Sequence, residues 1–153
     1  MTKLMKASFL SLLAFSALSV SAFPSLPAAT PFKGGGNGQI VGLIGVSETE
    51  VEVTATGTGT STHLGRFTRN EQLVLNPVAG TFTGSIVFTA ANGDELWCGV
   101  SGGFTGPGIA EGTYSITGGT GRFAGASGTA AFNVVQSDPA NFSFAFDGSI
   151  DMQ

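Results

Sequence analysis

One cysteine, one histidine, one tryptophan and one tyrosine are spread over 153 residues. Each scarcity excludes something. With Cys98 alone, no intramolecular disulfide forms, so a small domain must be held by apolar burial and strand pairing. Cys98 lies beside Trp97 in an apolar stretch, the setting of a buried small hydrophobe rather than an exposed thiol. A single imidazole, His63, far from that thiol along the chain, does not supply a structural zinc set. Gly99-Val100-Ser101-Gly102-Gly103 has the spacing of a nucleophile elbow. That chemistry needs a helix after the serine, then an acid and a histidine; here no helical pattern follows, and His63 comes first. No catalytic set emerges, and no cofactor is called for. Gly119-Thr120-Gly121-Arg122-Phe123-Ala124 imitates a dinucleotide fingerprint, but without a helix N-terminus behind it there is nothing to hold a pyrophosphate. Asn92-Gly93-Asp94-Glu95 lacks the alternating carboxylates of a calcium loop and reads as a hairpin turn.

Charge is also scarce. Only 10% of residues are Asp, Glu, Lys or Arg. Beyond residue 22 the bases are Lys33, Arg66, Arg69 and Arg122 against ten acids, a net charge of −6. Nucleic-acid binding needs a clustered basic surface, which is missing. Attachment to anionic membranes is disfavoured for the same reason. The uncharged run Ala7–Phe23 is shorter than the ~20 residues of a membrane span. Preceded by Lys3 and Lys6 and ending in Val20-Ser21-Ala22, it reads as a signal peptide over 1–22, cut after Ala22. The expected product is secreted or periplasmic, with no segment left to insert in a membrane.

What is abundant is glycine, 24 residues, together with Thr, Val, Ser and 13 Phe. Strong helix formers are sparse after residue 38, while β-branched and aromatic side chains suit pleated strands. Residues 23–37, with three prolines and Gly34-Gly35-Gly36, show neither strand nor helix periodicity and read as a flexible leader. One domain then covers 38–153. Alternation and turn punctuation predict eight strands: 39–46, 50–62, 65–75, 81–90, 94–101, 112–117, 122–135 and 141–150. The last is clearest, with Phe142, Phe144, Phe146 and Ile150 on one face and Ser143, Ala145, Asp147 and Ser149 on the other. Turns are short, except for a longer loop expected over 102–111. Eight short-linked strands with one apolar face favour an all-β, antiparallel, up-and-down barrel, because closure removes exposed edges. A β-sandwich is the alternative.

The stretch 116–132, ITGGTGRFAGASGTAAF, resembles the Gly-Gly-Thr-Gly-x-Phe segment of the allene oxide cyclase and dirigent-like barrels. The preceding VFTAANGDEL and THLGRFT segments resemble those of small exported bacterial proteins with that barrel. The resemblance implies an eight-stranded barrel, often oligomeric, holding an apolar small molecule in its lumen. It gives Gly118, Gly119, Gly121 and Phe123 an architectural role: the glycines permit the turn and the Phe packs inward. No catalytic residue carries over.

In an up-and-down meander the turns alternate between two ends. His63 and Arg66, Asp94 and Glu95, and Arg122 fall on turns at one end, a polar rim able to orient a ligand whose apolar part enters the lumen. Tyr114, in phase with Ile116, is the expected inward-facing polar group, with His63 and Asp147 as further polar candidates. The leading expectation is a binding module for a small apolar molecule. Alternatives are a structural or assembly protein of the cell envelope and a cyclase- or isomerase-like enzyme.

Overall fold

The computed structural model describes residues 29–153, so the signal-peptide segment and residues 23–28 of the leader lie outside the described residues. Eight strands follow in chain order: β1 (Thr30–Gly45), β2 (Val51–Ser61), β3 (Gly65–Asn76), β4 (Thr81–Ala90), β5 (Glu95–Gly106), β6 (Ile109–Gly119), β7 (Ser127–Gln136) and β8 (Asn141–Asp151). Each pairs antiparallel with the next, and β1 pairs with β8, giving a closed eight-stranded antiparallel barrel. This is the fold that the alternation predicts; the two-sheet sandwich is not observed.

Three boundaries differ from the sequence reading, each for a physical reason. Residues 30–37 are strand, not leader: Thr30–Gln39 pair with β8, and Gly34–Gly45 pair with β2. The three glycines are there because neighbouring groups crowd the strand. A Cβ on Gly36 would lie 2.0 Å from the Thr58 carbonyl oxygen, and one on Gly34 would lie 2.7 Å from the ring of Phe146. Residues 102–106 and 109–111 are also strand, leaving Pro107-Gly108 as the whole β5–β6 turn. Finally, 121–123 is a single 3-10 turn rather than the start of β7. There Gly121 has φ of +56°, a left-handed conformation that suits glycine, and a Cβ would meet the Asp94 carboxylate. Gly118 and Gly119 close β6 just before it.

The β2–β3, β4–β5 and β6–β7 turns share one end with both termini of the barrel. That end is plugged by Phe32, Leu64, Leu96, Phe123 and Ile150, none more than 2% exposed. Aromatic rings stack above the plug: Phe32 and Phe146 lie 4.7 Å apart, and Phe67 meets Phe88 edge-on at 5.2 Å. At about 1.5–3 kcal/mol per buried large side chain, this half of the barrel is the main source of stability. Towards the other end, where the β1–β2, β3–β4, β5–β6 and β7–β8 turns lie, the packing stops short of the rim.

Candidate functional site

That incomplete filling leaves a cavity of about 270 Å³. For comparison, a cavity of about 150 Å³ accepts benzene. Ile40, Leu73, Phe82, Ala110, Phe132 and Val134 make most of its wall, and Leu43 and Phe104 carry the apolar surface out to the mouth. At the floor are three polar side chains: Arg69, Glu71 and Tyr114.

Their positions follow from strand parity. On β3, Phe67, Arg69, Glu71, Leu73 and Leu75 alternate inward, against outward-facing Thr68, Asn70, Gln72 and Val74. An arginine and a glutamate therefore occupy positions that pattern alone reserves for apolar residues. Arg69 is 1% exposed and Glu71 7%. Room for the arginine comes from Gly57, its partner across β2–β3, since a Cβ there would lie 3.0 Å from Arg69 Cγ.

Arg69 is held on three sides. Its Nη2 donates to Glu71 Oε2 in a buried ion pair. Its Nη1 donates to the Tyr114 hydroxyl at 3.2 Å. Its guanidinium lies over the Phe144 ring, 4.1 Å from the centroid, where the negative π-face attracts the cation. The fourth demand is unmet: Nε is buried without a hydrogen-bond partner. Tyr114 stacks on Phe132 with centroids 4.4 Å apart. Burial pushes its phenol up to about 12, partly opposed by the charge of Arg69, so it remains a proton donor across the physiological range. Burial likewise pushes the Cys98 thiol up to about 12, against the thiolate character that reactivity needs.

The expected rim residues are elsewhere. His63, Arg66, Asp94, Glu95 and Arg122 do fall on turns at one end, but it is the plugged end, and none lines the cavity. Their side chains tie turns together. Asp94 Oδ2 lies 3.7 Å from Arg122 Nε, and Glu95 Oε2 accepts a hydrogen bond from Trp97 Nε1 at 2.9 Å. His63, at φ of +67°, places Nε2 3.1 Å from the Pro31 carbonyl oxygen; a carbonyl only accepts, so that nitrogen is the donor. Arg66 is exposed at the start of β3. Asp147 points outward and pairs with Lys33 at 3.4 Å, so it is not an interior group. Of the expected ligand-contacting residues, only Tyr114 lines the cavity. Arg69 and Glu71 were readable from their phase with Phe67 and Leu73.

Among the described residues no group of three or more His, Cys, Asp or Glu side chains is arranged to hold a metal ion. What fold and site define is a closed antiparallel barrel, plugged at one end and hollow at the other, with a buried ion pair at the bottom of an apolar cavity. No protein-family model matches the chain. No curated protein sequence matches it either. Among solved structures it is similar to the pterocarpan synthase dirigent protein GePTS1, at 14% identity and a TM-score of 0.49, over 84% of this chain and 98% of that one.

Proposed function

We propose that the barrel binds a small, largely apolar molecule, which enters from the hollow end and sets its one polar group on Arg69, Glu71 and Tyr114. The observation that carries this reading is the unpartnered Arg69 Nε beside an apolar cavity. Burying a donor without a partner costs about 1–3 kcal/mol, a cost that a ligand's acceptor would remove. The floor holds one positive and one negative charge, so a neutral ligand suits it better than the acidic head group expected for the rim arginines. An oxygen of the ligand accepts from Arg69 or from the Tyr114 hydroxyl, while the Glu71 oxygen not engaged by Arg69 accepts from any donor the ligand carries. Export by the 1–22 segment belongs to the same proposal, and the intact mass of the exported form, starting at Phe23, tests it.

A neutral three-ring probe such as N-phenylnaphthylamine, whose fluorescence rises in apolar surroundings, tests the lumen directly. The wild type is expected to bind it. Val134→Trp, which fills the cavity from its wall, is expected to abolish binding. Glu71→Gln with Tyr114→Phe should weaken it roughly tenfold, the loss of about one buried hydrogen bond. Arg66→Gln with Arg122→Gln should leave it unchanged. No probe binding, or binding indifferent to Val134→Trp, defeats the lumen reading.

A further inference from the structure

The barrel closes through β1 and β8, but the two strands do not end together. Their pairing stops at Gln39↔Asn141, with one more hydrogen bond from Ile40 N to the Ala140 carbonyl. Strand β1 continues to Gly45, paired from Gly42 onward with β2 alone. Residues 41–45 therefore form a short free edge beside the mouth of the cavity, with backbone groups facing outward on the β8 side. The side chains on and beside this edge are apolar and exposed: Val41 at 55%, Leu43 at 63%, Ile44 at 63% and Val46 at 57%. Within 40–46 there is no proline, no lysine and no inward-pointing charge to blunt the edge; its one irregularity is a β-bulge at Val41, between Ile40 and Gly42.

An apolar edge with unpaired N–H and C=O groups has a specific chemical complement, another extended strand. A lipid surface is a poorer match, because open backbone groups lose their water on entering hydrocarbon. Glu48, Glu50 and Glu52 next to the edge also oppose an anionic surface.

We propose that this edge pairs with the same edge of a second copy, antiparallel about a two-fold axis at Leu43. In that register Val41 faces Gly45 of the partner subunit, Gly42 faces Ile44 of the partner subunit, and Leu43 faces Leu43 of the partner subunit. No charged residue lies within 40–46, so like charges do not meet at the joint. The contact is isologous and closes after two copies, so it gives a dimer rather than a fibre. It sets the two cavity mouths side by side, since Leu43 also lines the cavity.

The test uses the exported chain from Phe23. Light scattering after size exclusion is expected to give twice the monomer mass at micromolar concentration. Val41→Lys with Ile44→Lys is expected to give the monomer mass with an unchanged circular dichroism spectrum, because both side chains are exposed. Leu43→Cys supplies a second readout. Residues opposite one another in an antiparallel pair have Cα atoms about 4.5–5.5 Å apart, within reach of a disulfide. Under mild oxidation that variant should become a covalent dimer, and the buried native Cys98 gives no background. A monomer at every concentration overturns the proposal, as does a dimer that the lysine variants leave intact. Capture of the monomer by neutral phosphatidylcholine vesicles, or by an added strand peptide of different sequence, in place of self-pairing also overturns it. Probe binding in the lumen is read on the monomeric lysine variant, so failure of the dimer and failure of the lumen reading are told apart.

Discussion

Arg69 sits where the protein has little water to offer it, and its surroundings show what holding a charge there requires. One carboxylate, one phenol and one aromatic face surround the guanidinium, and its Nε is still unsatisfied. Removing one member of a buried ion pair leaves the other charge uncompensated, at a cost of about 3–5 kcal/mol. Arg69→Met is therefore expected to lower stability by about that amount in urea unfolding. Arg69→Met with Glu71→Leu should recover most of it, because the double change removes both desolvation costs and the cavity wall is already apolar. If the double variant is no more stable than the single one, Glu71 is not the counter-charge that matters. The probe should bind both variants weakly, separating what the pair does for folding from what it does for a ligand. At this scale only Tyr114 was named from the sequence; Arg69 and Glu71 were missed, although their phase with Phe67 and Leu73 turns them inward. What parity does not reveal is that the two charges meet each other, since side chains two apart on a strand make contact only when the strand's twist and the neighbouring rings bring them together.

Strand β1 shows how the same residues carry opposite meanings at the level of an element. Gly34-Gly35-Gly36 after three prolines has the composition of a linker, and no side-chain alternation exists to say otherwise. In the barrel those glycines are the places where β1 lies tightly between β2 and β8, with the Phe146 ring over Gly34, as the Phe142 ring lies over Gly38 further along the strand. Steric demand by partners distant in sequence is not written in a local pattern, which is why this strand was shortened while β8, with three alternating phenylalanines, was legible from end to end. The far half of the β5–β6 hairpin, read as a loop over 102–111, was missed for a related reason: Gly102 and Gly112 face one another in register and leave no alternation to read. The two kinds of glycine are separable by experiment. Gly36→Val must push the backbone of Thr58 aside and is expected to destabilise strongly, by more than about 3 kcal/mol or to the point of misfolding. Gly45→Ala has open space around its Cβ and should change stability by less than about 0.5 kcal/mol. Equal thermal midpoints for the two would mean that β1 is not clamped as described.

Taken whole, the molecule divides along its axis into a half packed with rings and a half left open, and a buried thiol and a buried phenol lie between them. Cys98 is 2% exposed and Tyr114 is fully buried. Both ionise to anions, and burial opposes both ionisations: the thiol moves from 9.0 to about 12 and the phenol from 10.0 to about 12. The nearby positive charge of Arg69 moderates each shift without cancelling it. The consequence for stability has a definite sign. An unfolded chain loses these protons near the ordinary values, while the folded chain keeps them, so between about pH 9 and pH 12 the unfolded state binds fewer protons and stability falls as pH rises. The stabilisation is complete below about pH 9 and is lost by about pH 12. Cys98→Ala should delay the onset of this decline from about pH 9 to about pH 10, where the unfolded tyrosine begins to ionise. Tyr114→Phe should flatten the later part of the curve, while lowering the neutral-pH stability by roughly 1 kcal/mol through loss of the hydrogen bond from Arg69. The measurement is the urea midpoint across pH 8–12 for the three proteins. A wild-type midpoint that stays level through pH 11 would show that water reaches both groups, and that the barrel is open well below the cavity floor.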